Sequence, residues 1–65
     1  MIMKLWIARD DYGLWLYEEK PTKRIVNNDK FFPATLIRYE ISPRLFKNVT
    51  WENSPQEVEL KLVNQ

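Results

Sequence analysis

Apolar residues dominate two short segments near the start of the chain. Residues 3–9 and 14–18 are rich in aliphatic and aromatic side chains, and the polar residues 10–13 separate them. Acidic residues such as Asp10 favour the opening of a β-turn, and the chain's only glycine, Gly13, can take the positive φ angle needed to enter a second strand. The pattern therefore predicts a β-hairpin in which Gly13 has a geometric role.

If Arg9 pairs with Leu14, the alternation of side chains sorts this hairpin into two apolar faces. We call them the aliphatic face and the aromatic face. The aliphatic face carries Leu5, Ile7, Leu14 and Leu16, and the aromatic face carries Trp6, Ala8, Trp15 and Tyr17. A two-stranded unit normally shows one polar face to water. We therefore expect either that the rest of the chain covers the aromatic face or that this face contacts a partner.

The pattern changes over the rest of the chain. Residues 19–33 contain Pro21, several basic residues and a cluster of turn-forming residues at 27–29, which predict a mobile loop. Ile25 and Val26, and likewise Phe31 and Phe32, could attach this loop to the core. Residues 34–41 alternate between apolar and polar positions, which predicts a half-buried strand.

The C-terminal third contains a pattern that predicts a short helical turn, and a segment in which a helix pattern and a strand pattern conflict. Ser42 and Pro43 resemble a helix start, so residues 43–47 are expected to form one helical turn with Leu45 and Phe46 pointing inward. Residues 54–57 match a helix capping box, whereas residues 57–62 alternate at a strand period. We favour the strand, and a C-terminal helix stays an alternative.

These elements predict a mainly β fold, with α+β as an alternative. We expect a small antiparallel sheet of four or five strands with one short helical turn, because 65 residues allow one small domain, spanning residues 1–65. A start that reaches charged residues at Arg9 is too short for a signal peptide, and no run approaches transmembrane length. We expect a cytoplasmic protein without membrane contact.

The composition of the chain disfavours several kinds of catalytic and metal-binding site. The chain has no cysteine and no histidine, so the usual ligands of zinc and the usual proton carrier of nucleophilic catalysis are missing. Asp10 and Asp11 suit a turn better than a calcium site, since the further acidic positions of a calcium-binding loop are absent. We expect no catalytic residue, no metal and no cofactor.

One combination of residues suggests binding. The aromatic face lies next in sequence to a basic segment, and the candidate binding residues are Trp6, Trp15, Tyr17, Lys20, Lys23 and Arg24. Aromatic residues with nearby cations can bind single-stranded nucleic acid, but the net charge of only +1 argues against strong attraction to phosphates. The same residue types dominate protein interfaces, and tryptophan in a small sheet is commonly part of the core.

Several segments carry a resemblance to a family. They are residues 5–10, Gly13, residues 16–17 and 20–21 in the first half, and residues 45–46, 49–55 and 57–60 in the second. On these residues the chain resembles a family of small bacterial and phage proteins that has no established activity. The family often has proline after the Leu-Phe pair, where this chain has Lys47. The resemblance implies a compact domain with a phage or mobile-element origin.

The sequence as a whole favours a noncatalytic module for protein–protein interaction. Its partner would be another protein or a second copy of the chain. The alternative is a domain that binds single-stranded nucleic acid through the aromatic face and the basic segment.

Overall fold

The computed structural model describes residues 2–63 and contains six β-strands. The strands are β1 (Ile2–Asp10), β2 (Gly13–Tyr17), β3 (Arg24–Val26), β4 (Asp29–Phe31), β5 (Arg38–Ile41) and β6 (Gln56–Lys61). Four of them form an antiparallel sheet in the order β5-β2-β1-β6, and β3 pairs with β4 in a separate hairpin. The predicted mainly β fold is confirmed. Residues 2–63 include no helix, and so none that could cross a membrane.

The first hairpin has the predicted register. Arg9 lies opposite Leu14, and Asp10 lies opposite Gly13 at the end of the ladder. Gly13 has a φ of 153°, in the range that glycine adopts most easily. The two predicted faces are therefore the two faces of the sheet.

Each face of the sheet has its own core. On the aliphatic face, Ile7 and Leu14 are buried against Val49. On the aromatic face, Ala8 and Tyr17 are buried against Phe32. The edge strands extend the aliphatic face, because register places Val58 and Leu60 beside β1 and places Tyr39 and Ile41 beside β2.

The middle of the chain holds more structure than its sequence predicts. Residues 19–33 contain the hairpin β3–β4. Its turn is made by Asn27 and Asn28, whose φ angles of 50° and 67° are left-handed, a conformation that asparagine tolerates better than most residues. Phe32 enters the core as expected, whereas the β3 residues Ile25 and Val26 remain exposed.

The predicted helical turn at residues 43–47 is wrong. Residues 42–50 form a succession of turns, and Leu45 and Phe46 are exposed rather than directed inward. Phe46 has a φ of 48°, which no right-handed helix permits. The carbonyl of Pro43, which would accept a backbone hydrogen bond in a helical turn, instead accepts from Nη1 of Arg9.

The last two predicted strands are present with different bounds. The strand expected over 34–41 is reduced to β5, because residues 34–36 turn and bring Leu36 against the aromatic face. The conflict at residues 54–63 is resolved as the strand β6. Ser54 starts no helix, since its buried hydroxyl donates to the carbonyl oxygen of Thr50 at 2.6 Å.

Candidate functional site

The middle and late segments of the chain cover part of the aromatic face. Tyr17 is fully buried, and its ring lies 6.3 Å from that of Phe32. Phe32 in turn lies 5.1 Å from the ring of Trp51, and Leu36 packs against the same cluster. The rest of the chain thus covers the part of this face that carries Ala8 and Tyr17, and it leaves Trp6 and Trp15 half-buried.

Each of the three indoles on this side has a cation from the same chain above it. The guanidinium of Arg38 lies 3.6 Å from the ring centroid of Trp15, and the corresponding distance is 5.3 Å from Lys20 to Trp6. The third pair is Lys23 and Trp51, at 5.0 Å. Such cation–π contacts occupy the ring surfaces on which a nucleic-acid base would have to stack.

Tyr17 shows how tightly this side is assembled. Its hydroxyl donates to the carbonyl oxygen of Pro33 at 3.2 Å and accepts a hydrogen bond from Arg38 Nη1 at 3.0 Å. Burial raises the pKa of the Tyr17 phenol, and the hydrogen bond from Arg38 opposes part of that rise. This side chain is a structural element of the core.

The six candidate binding residues do not form one surface. Tyr17 is buried, Trp6 and Trp15 are half-buried, and Lys20 is exposed beside Trp6. The structure brings Lys23 to Trp51 rather than to the hairpin, and Arg24 lies on β3 opposite Phe31.

Sequence reasoning missed Arg38 as the cation over Trp15. The signal was present in part, because alternation along residues 34–41 separates Arg38 from Tyr39 and Ile41. Only the pairing of Arg38 with Tyr17 across β2 and β5 brings it to the aromatic face.

On the aromatic face, the carboxylate of Asp10 links the turn of the first hairpin to the segment that contains Phe32. Its Oδ1 accepts from the backbone amides of Tyr12 and Gly13 and from the indole Nε1 of Trp15, and its Oδ2 accepts from the amide of Phe32. A depression of about 390 Å³ lies beside it, but Asp29 at its rim already accepts from the Tyr12 hydroxyl. Among residues 2–63, no group of three or more acidic side chains is placed to hold a metal ion.

The aliphatic face is only half covered. The segment 42–50 lies over the end of the sheet that carries Leu14, where Val49 is buried. The other end contains a groove of about 320 Å³ with an almost entirely apolar lining. The groove is lined by Leu5, Ile7, Leu16, Phe46, Val58, Glu59 and Leu60. We call it the aliphatic groove.

Arg9 positions the loop that forms one wall of this groove. Its Nε donates to the carbonyl oxygen of Val49 at 2.6 Å, and its Nη1 donates to that of Pro43 at 3.0 Å. Its Nη2 donates to the carbonyls of Leu45 and Phe46 at 2.9 and 3.2 Å. One guanidinium therefore fixes four carbonyl groups of the same loop.

Phe46 is the most unusual residue of the groove. The residue is 57% exposed, and its φ of 48° is unfavourable for a residue with a large side chain. Leu60 also lines the groove, and it is 56% exposed. Two large apolar side chains thus flank the groove at the surface, and no sequence signal marked Phe46 as exposed.

Comparison of the chain with protein-family models, with curated proteins and with solved structures found no significant match.

Proposed function

We propose that this domain is a noncatalytic module for protein–protein interaction and that the aliphatic groove is its contact surface. The observation that carries the proposal is Phe46, an exposed aromatic residue held at a left-handed φ beside an apolar groove. Non-glycine residues in such conformations persist only when the surroundings hold them there, and they are common at binding sites. Here Arg9 supplies that constraint.

The shape and lining of the groove favour an apolar side chain of another protein as its occupant. Met3 and Tyr39 are exposed, and register places them beside the groove residues Leu60 and Leu16, so the apolar surface extends beyond what one small molecule would cover. Aromatic residues at the centre of such surfaces provide much of the binding energy in protein interfaces. The partner is therefore expected to present a leucine, isoleucine or phenylalanine on a strand or helix.

The setting of this interaction is also part of the proposal. The resemblance to small bacterial and phage proteins supports a phage or mobile-element origin. We expect the domain to act in the cytoplasm. A phage-encoded module of this kind would bind a protein of its host.

The nucleic-acid alternative has less support. Its aromatic residues are covered or half-buried, and the cations nearest to them already contact indole rings of the same chain. Phosphate binding would have to compete with those contacts. Binding to a single-stranded oligonucleotide at low salt that weakens steeply as salt is added would favour this alternative over ours.

The proposal can be tested by affinity capture with three matched baits. The baits are the wild-type chain, the Phe46→Gly variant and the Ile37→Ser variant, whose substitution removes an exposed apolar residue outside the groove. We expect a partner that both the wild type and Ile37→Ser recover and that Phe46→Gly loses. Equal recovery by all three baits would contradict the assignment of the groove.

A further inference from the structure

The outer edge of β6 is open. In the order β5-β2-β1-β6, β6 pairs with β1 on one side, and no other strand of residues 2–63 lies on its outer side. An edge strand of six residues presents backbone amides and carbonyls that another strand can pair with.

Side chains of β6 alternate between apolar and charged positions. Val58 and Leu60 belong to the aliphatic face, whereas Glu57, Glu59 and Lys61 point to the opposite side. The residues that follow are apolar and highly exposed. Leu62 is 81% exposed and Val63 is 76% exposed, beyond Lys61, which pairs with the first described residue of β1.

We propose that β6 pairs antiparallel with β6 of a second copy of this chain, with the two-fold axis at Leu60. This register places Glu59 opposite Lys61 of the second copy, and the symmetry repeats that pair. It also places Val58 opposite Leu62 of the second copy when the strand continues through that residue. Opposite charges and apolar pairs across two strands both stabilise a sheet.

The neighbouring registers are disfavoured by charge. An axis at Glu59 or at Lys61 would place two like charges directly opposite each other, and an axis at Val58 would pair Glu57 with Glu59 of the second copy. A shift by one residue would set the apolar side of one copy beside the charged side of the other. Among positions 58–61 of β6, Leu60 is thus the one at which both charge and face agree.

The dimer would form one continuous eight-stranded antiparallel sheet. The two aliphatic grooves would lie side by side, because Val58 and Leu60 line each of them and the axis passes between the two β6 strands. The proposal rests on the free edge and its charges, and it does not depend on what the groove binds.

The test measures the mass of the chain by sedimentation at rising concentration, for the wild type, Glu59→Lys, Lys61→Glu and an equal mixture of the two variants. We expect a wild-type dimer, a dissociation constant raised about tenfold or more in each single variant, and recovery in the mixture. In the mixture, one variant has lysine at both positions 59 and 61, and the other has glutamate at both. A dimer of one copy of each therefore has an opposite-charge pair at both places.

Glu57→Lys is the matched control. It replaces an exposed ion pair with Lys4, whose Nζ lies 3.8 Å from Glu57 Oε1, by an exposed like-charge pair within one copy, and in this register it faces Val63 of the second copy. Its dissociation constant should stay within about twofold of the wild type. A monomeric wild type, a mixture that fails to recover, or a Glu57→Lys effect equal to that of Glu59→Lys would each overturn the proposal.

Discussion

Arg9 Nη2 donates a hydrogen bond to the backbone carbonyl of Phe46 at 3.2 Å, across 37 residues of sequence. Arg9 lies in the longest strand of the sheet, and Phe46 lies in a loop without regular secondary structure. The bond and its companions let a rigid strand determine the path of that loop. The position of the exposed Phe46 ring beside the aliphatic groove depends on this arrangement.

Replacing Arg9 with lysine should loosen the loop while keeping the charge. Lysine cannot reach several carbonyls in the planar geometry of a guanidinium, so we expect a loss of about 2 kcal/mol in the free energy of unfolding. Urea denaturation measures this loss. Arg24→Lys, at an exposed position of β3, is the control and should change stability by less than about 0.5 kcal/mol.

Phe46→Gly and Phe46→Ala should separate backbone conformation from binding. Both variants remove the ring and should lose the partner. Glycine adopts a φ of 48° freely and alanine does not, so we expect Phe46→Gly to be more stable than Phe46→Ala by about 1 kcal/mol. Equal unfolding free energies for the two variants would show that this residue is not left-handed in solution.

Asp10→Asn should weaken the link between the first hairpin and the segment that covers the aromatic face. An amide has only one acceptor oxygen, so its NH2 group would face either the amide of Phe32 or the donors that bind Oδ1. We expect a loss of about 2 kcal/mol in unfolding free energy. Asp11→Asn, whose carboxylate accepts from the amide of Lys30 at the surface, should lose less than half as much.

Stability should fall at alkaline pH through Tyr17. Burial raises its pKa in the folded protein, whereas the phenol of an unfolded chain ionises near 10.0. The favourable contribution of the neutral phenol is therefore complete below about pH 10 and is lost as pH rises through that value towards the folded-state pKa. The difference in unfolding free energy between the wild type and Tyr17→Phe, followed as a function of pH, measures this contribution of the phenol.

Two features make that comparison clear. Tyr12 and Tyr39 also have raised pKa values, chiefly because the hydroxyl of each donates a hydrogen bond to a carboxylate. Both residues are present in the wild type and in Tyr17→Phe, so their contributions to the pH dependence cancel in the difference. At neutral pH the wild type should be more stable by about 1 kcal/mol, for the hydrogen bonds that phenylalanine cannot make. A difference that stays constant above pH 10 would contradict the raised pKa.

The sequence predicted the elements that depend on local periodicity. The hairpin β1–β2, its register and the glycine turn follow from alternation and from the placement of Gly13. The strand β6 follows in the same way, because three apolar residues at a spacing of two outweighed a capping pattern. The candidate binding residues, chosen from the aromatic face of the hairpin and the basic segment that follows it, were less well placed, since Tyr17 is in the core.

The rest of the candidate site depends on contacts between distant residues. Nothing near Phe46 in the sequence indicates that Arg9 takes the carbonyls of that loop, so the local pattern predicted a helical turn with Phe46 inside. Likewise, Trp51 and Arg38 reach the aromatic face only through the tertiary fold. Hydrogen bonds and ring contacts between residues far apart in sequence cannot be predicted from local periodicity.

The most direct test of the central claim is photo-cross-linking in cells from position 46. A chain with p-benzoylphenylalanine in place of Phe46 is compared with one that carries the same photo-reactive residue in place of Ile37, which is exposed but lies outside the aliphatic groove. We predict a single cross-linked partner protein from position 46 that is absent from position 37. The same products from both positions, or products from position 46 that contain only copies of this chain, would contradict the account.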